Sequence, residues 1–120
     1  MKKVLVVDDA SVVRLMMKKV LKEGGFEIVG EATNGREAIT QFKELHPDIV
    51  TMDMVMPDAD GIQATREIVA FDKNAKVVMV SGIEQKEMLM KAIQAGASSY
   101  IVKPFDADRV ILTLNEVLEH

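Results

Sequence analysis

Cysteine is absent from these 120 residues, which removes disulfides, thiolate nucleophiles and cysteine-ligated zinc or iron–sulfur centres in one step. That fits a reducing compartment. No apolar run approaches the ~20 residues needed to cross a bilayer, and Met1, Lys2 and Lys3 lead straight into a strand-like run with no cleavage pattern. A cytoplasmic protein without membrane contact is therefore expected. A basic block is missing too, and with a formal net charge of -4 at pH 7 nucleic-acid binding is not expected. Nor is there an internal repeat, a low-complexity tract or a linker, so residues 1–118 read as one domain. The closing Leu118, Glu119 and His120 resemble the start of a histidine tag and carry no functional reading.

What is present is an alternation of short apolar runs and longer amphipathic ones. Val4 to Val7 reads as a strand that ends on Asp8 and Asp9, and Ser11 is placed to cap a helix whose apolar face is Val12, Leu15, Met16 and Val20. Gly24 and Gly25 stop it. Phe26 to Ala32 is a second strand; Asn34 then caps a helix with Ala38, Ile39, Phe42 and Leu45 on one face, closed by His46 and Pro47. Ile49, Val50 and Met52 fill a third strand that ends on Asp53, since Pro57 cannot donate to a sheet ladder. Turn residues Asp58 to Gly61 precede a third helix that ends near Phe71. Lys76 to Val80 is a strand ending on Ser81 and Gly82, Glu84 to Ala95 a fourth helix with Gly96 at its end, and Tyr100 to Val102 a strand stopped by Lys103 and Pro104. Asp106 caps the last helix.

Five strands alternating with five helices predict a doubly wound α/β fold, a parallel sheet between two helical layers, of the flavodoxin-like kind with strand order 2-1-3-4-5. In that order the first and third strands are neighbours. Their carboxyl ends bring Asp8, Asp9 and Asp53 to one crevice, and the fourth and fifth strands add Ser81 and Lys103. Two carboxylates about 4 Å apart repel by roughly 4 kcal/mol at an effective dielectric near 20, so three cannot converge without a cation. Oxygen ligands alone favour a hard divalent ion, and a site completed by a phosphate suits magnesium better than calcium. With metal and Lys103 neutralising the crevice, Asp53 is placed to attack phosphorus in line while Ser81 donates to an equatorial oxygen.

Asp8 with Asp9, the run Asp53 to Gly61 containing Met56 and Pro57, Ser81 with Gly82, and Lys103, Pro104 and Phe105 together resemble the response-regulator receiver domain, nearest to single-domain chemotaxis regulators of the CheY type. The resemblance covers the whole chain. It implies that Asp53 takes a phosphoryl group from a phosphohistidine of a chemotaxis-type sensor kinase with Mg2+, for which Mn2+ can substitute. Asp9 would be a direct metal ligand, Asp8 would act mostly through water, and the Val55 carbonyl would complete the protein's share. It further implies a switch in which Ser81 moves toward the phosphoryl group, Tyr100 swings inward, and the face of the fourth helix, fifth strand and fifth helix changes its affinity for a target such as the flagellar motor switch. Leu89, Tyr100 and Lys103 belong to that expected partner face. A cis Lys103–Pro104 bond is usual in the family, as is a monomer when unphosphorylated. Val55 and Ile83 are apolar where polar side chains help to position a hydrolytic water, so slow self-dephosphorylation is expected, and a phosphatase needing a polar contact at Val55 would act poorly.

Other readings have less in their favour. A relay intermediate, a phosphate sink or a receiver piece of a longer regulator would share the same acceptor chemistry. An FMN binder needs a phosphate-cradling first loop, where Asp8 and Asp9 would repel the phosphate. A dehalogenase-type phosphatase needs an acid at Val55.

Overall fold

Strand and helix alternate without a break in the computed structural model, which describes residues 1–82 and 84–119: β1 (Lys3–Val7), α1 (Ser11–Glu23), β2 (Glu27–Ala32), α2 (Gly35–Leu45), β3 (Ile49–Asp53), α3 (Gly61–Phe71), β4 (Val77–Ser81), α4 (Lys86–Gln94), β5 (Ser99–Val102) and α5 (Ala107–Glu119). All strand pairs are parallel, and the order is β2-β1-β3-β4-β5. The expected doubly wound architecture is the observed one. β3 and β4 are buried along their whole length, as continuous apolar runs between two helical layers must be. One core lies on each face of the sheet: Leu5, Val50, Met52 and Met79 pack toward α2, α3 and α4, while Val4, Val6, Val78 and Ile101 pack toward α1 and α5.

Capping fixes where most helices begin. The Asn34 side chain accepts from the Glu37 N–H at 2.8 Å and Glu37 accepts in return from the Thr33 N–H at 2.9 Å, a reciprocal pair that satisfies two free donors. Asp60 caps α3 through the Gln63 N–H, and Asp106 caps α5 through the Arg109 N–H.

Two expectations for α1 are corrected. Ser11 is not its cap; the residue before the helix is Ala10, whose N–H donates to Asp8 Oδ1 at 2.9 Å. The buried face is also different. Met17 and Leu21 are buried, whereas Val12, Leu15 and Met16 are exposed. Apolar residues at 12, 13, 15, 16, 17, 20 and 21 cover most of the helix circumference, so periodicity alone admits two stripes. α4 begins at Lys86, two residues later than expected, with the Gln85 N–H donating to the Gly82 carbonyl at 3.2 Å just before it.

Candidate functional site

β1 and β3 pair in register Val7 with Met52, so the residues that follow each strand emerge side by side. Asp8 and Asp53 are buried, at 3% and 7% exposure, and Asp9 is exposed at the mouth. One carboxylate oxygen from each lies within 4.8 Å of the other two. From the end of β5, Lys103 Nζ reaches Asp53 Oδ1 at 3.0 Å and Asp8 Oδ2 at 3.3 Å. The predicted crevice is thus assembled around Asp8, Asp9, Asp53 and Lys103.

Local hydrogen bonds hold the two acids in place. Asp8 keeps β1 on the sheet through its N–H, which donates to the Ala32 carbonyl at 3.1 Å, while its own carbonyl accepts from Arg14 Nη1 at 2.7 Å. Both Asp8 oxygens are engaged, Oδ1 by the Ala10 N–H and Oδ2 by Lys103. Asp53 Oδ1 accepts from the Met54 N–H at 2.9 Å as well as from Lys103, which fixes the plane of that carboxylate.

The loop after β3 is strapped from outside. The Gly61 N–H donates to the Met54 carbonyl and the Arg36 N–H, at the start of α2, to the Asp58 carbonyl, both at 2.9 Å. Asp58 and Ala59 take positive φ. A Cβ on Gly61 would collide with the Asp53 carbonyl, and one on Gly35 with the Ala59 carbonyl, so the loop closes only over glycine at both points. Val55, half exposed, rides on this loop.

Electrostatics follow from this packing. Burial raises the Asp53 pKa, helped by the neighbouring Asp8 charge, and the Lys103 hydrogen bond and the Met54 N–H offset this only in part. Burial by itself lowers the Lys103 pKa; the hydrogen bond and charge of Asp53, joined by Asp8, outweigh it and raise the value overall. The net result is a pocket richer in negative charge than its one ammonium balances. Three convergent carboxylates, no nitrogen or sulfur donor among them, and an exposed Asp9 suit a hard, water-keeping divalent ion. Asp9, Asp53 and the loop bearing Val55 would hold it.

The remaining predicted residues take their places as follows. Ser81 is buried at the end of β4, one residue past Val80, the partner of Asp53 in the sheet. The Lys103–Pro104 bond is cis. Tyr100 is 49% exposed on β5. Leu89 is half buried and packs against the core beneath α4, where Met90 and Ile93 are the exposed apolar residues. Ile83 lies outside the described residues. Sequence reasoning missed Arg14 and Gln85. Gln85 sits three residues after Gly82, the spacing of half a capping box, and its side-chain oxygen accepts from the Gly82 N–H at 2.6 Å.

Comparison with known proteins agrees with this geometry. A family model described as the response regulator receiver domain matches residues 4–115. The chain is 52% identical over 116 residues to the chemotaxis protein CheY of Thermotoga maritima and 49% identical to that of Bacillus subtilis, in each case covering 97% of both chains. The solved CheX–CheY–BeF3–Mg2+ complex of Borrelia burgdorferi aligns with a TM-score of 0.92 at 35% identity, over 97% of this chain and 88% of that one.

Proposed function

The chain belongs to the response regulator receiver family as a CheY-like member of two-component chemotaxis signalling, and from that premise we propose that Asp53 is its phosphoacceptor. The observation that carries this is the meeting of Asp8, Asp9, Asp53 and Lys103 within one crevice. An Asp53 carboxylate oxygen attacks the phosphorus of a phosphohistidine on a sensor kinase. The new O–P bond forms as the P–N bond breaks, and the electron pair leaves with the imidazole, which takes up a proton.

When bound, Mg2+ supplies charge neutralisation of the phosphoryl oxygens. Asp9 and Asp53, with the Val55 carbonyl, would hold it, both Asp8 oxygens being already engaged by Ala10 and Lys103. Lys103 leaves its contact with Asp8 and Asp53 to meet the incoming oxygens, and the Ser81 hydroxyl donates to one of them. Exposed, apolar Val55 offers no polar group to position a hydrolytic water, which supports slow self-dephosphorylation.

The phosphoryl group then biases a two-state face. Going from 1:99 to 99:1 takes about 5.5 kcal/mol of differential stabilisation, within reach of a dianion held by metal, Lys103 and Ser81. Tyr100, Met90 and Ile93 sit on the α4, β5 and α5 face, and Leu89 beneath it acts by repacking. Its reader is a protein such as a flagellar motor switch component, and a phosphatase ends the signal.

Intact mass after incubation with acetyl phosphate and Mg2+ tests the reading. One added phosphoryl group, lost in Asp53→Ala and without magnesium, is the expected result. Wild type that binds Mg2+ yet stays unlabelled would sink it.

A further inference from the structure

The donor set for a phosphoryl group on Asp53 is incomplete with one ammonium and one hydroxyl, because a dianion offers more acceptor sites than these two side chains fill. A third donor stands next to Ser81. The Ser81 carbonyl accepts from the Lys103 N–H at 2.7 Å, so it points toward β5. In a planar trans peptide the following N–H points the opposite way. The Gly82 N–H therefore faces the β3 side, over the carboxyl end of the sheet where Asp53 sits.

That donor is already taken. Gln85 turns back from the start of α4, and its side-chain oxygen holds the Gly82 N–H at 2.6 Å, while the Gln85 N–H donates to the Gly82 carbonyl. A second group from the same turn covers the position: a Cβ on Gly82 would lie 2.7 Å from Glu84 Oε1, so the Glu84 carboxylate lies over the glycine. A neutral acceptor thus fills the donor, and a carboxylate lies beside the same glycine. α4 has no side-chain cap at its start, and among the described residues the Gln85 side chain and N–H both tie its first turn to Gly82 at the end of β4.

We propose that Gln85 is a resting-state latch: its side-chain oxygen occupies the Gly82 N–H that a phosphoryl oxygen on Asp53 claims, and that exchange releases the first turn of α4. The inference rests on Asp53 being the phosphoacceptor and deepens that reading by naming the contact through which α4 senses the site. Gln85 is a positioning residue. It touches neither metal nor phosphorus and acts through the Gly82 backbone.

Gln85→Ala removes the competing acceptor, and Gln85→Glu keeps one. Losing a single hydrogen bond from the resting state is expected to speed labelling by acetyl phosphate, and to tighten beryllofluoride binding, by roughly 2- to 10-fold. Gln85→Glu is expected to show no gain. Calorimetric Mg2+ binding without a phosphoryl donor should be the same in all three proteins, since the acid cluster is untouched. The Gly82 amide resonance is the direct readout: beryllofluoride should shift it in wild type, and Gln85→Ala should already have moved it. Equal labelling rates and equal beryllofluoride affinity in Gln85→Ala and wild type, or a Gly82 resonance indifferent to beryllofluoride, would overturn the latch while leaving Asp53 as acceptor. Wild type that takes up neither probe would remove the acceptor reading and the latch with it.

Discussion

The two halves of the carboxyl end of the sheet are built to different tolerances. At β1 and β3 both buried acids are held more than once, Asp8 by Ala10, Lys103 and, through its backbone, Arg14 and Ala32, and Asp53 by Met54 and Lys103; the following loop is held by Gly35, Arg36 and Gly61. At β4 and β5 the described residues show fewer such ties. Ser81 leads into a turn tied by one glutamine, α4 lacks a side-chain cap, and Tyr100 and Met90 face outward. Preorganised charge needs a rigid frame, because misplacing a donor or metal ligand forfeits much of its worth. A switch needs the reverse, a segment whose alternatives differ by little.

The same substitution in both halves breaks the symmetry most sharply. Gly61→Ala forces a Cβ against the Asp53 carbonyl and should cost about 2–4 kcal/mol in urea unfolding. Gly82→Ala meets only the end of the Glu84 side chain and should cost below about 1 kcal/mol. Equal losses would refute the difference in rigidity. Next in size is Lys103→Ala, which cuts a side chain joining the halves; labelling by acetyl phosphate should fall roughly 100-fold, seen as the initial rate of mass gain.

A smaller effect isolates the rigid half. Burial raises the Asp53 pKa, so its contribution to stability is full below the ordinary carboxylate range and is lost as pH rises through the raised value. In EDTA, Asp53→Asn should therefore gain on wild type as pH rises from the ordinary carboxylate range through the raised value. Saturating Mg2+ should reverse the order, since only wild type keeps the full ligand set. A difference that does not vary with pH would discount burial as the cause. The smallest effect is expected at Met90→Ala, 67% exposed on α4: unfolding within about 0.5 kcal/mol of wild type and labelling within about twofold.

The rigid half was also the more legible from sequence. Asp53 ends an apolar run, Pro57 bars further pairing, and topology does the rest, so strand order alone brings three acids together. Lys103 followed for the same reason. α1 was misread because its apolar residues spread over most of the circumference, and only packing against the sheet selects Met17 and Leu21. Ser11 looked like a cap, yet an aspartate already bound the nearby backbone. Leu89 is partly buried against the core, a placement that pattern alone does not fix on a short helix. Gln85 stayed hidden because its role depends on a turn that helical periodicity had absorbed into α4.

The peptide plane between Ser81 and Gly82 works as a rigid bar with a load at each end. Its carbonyl end carries the backbone of Lys103, and its amide end carries the side chain of Gln85. A bar cannot be turned at one end alone. Turning that plane would load both contacts at once, so the Lys103 backbone and the Gln85 side chain are tied to the same peptide.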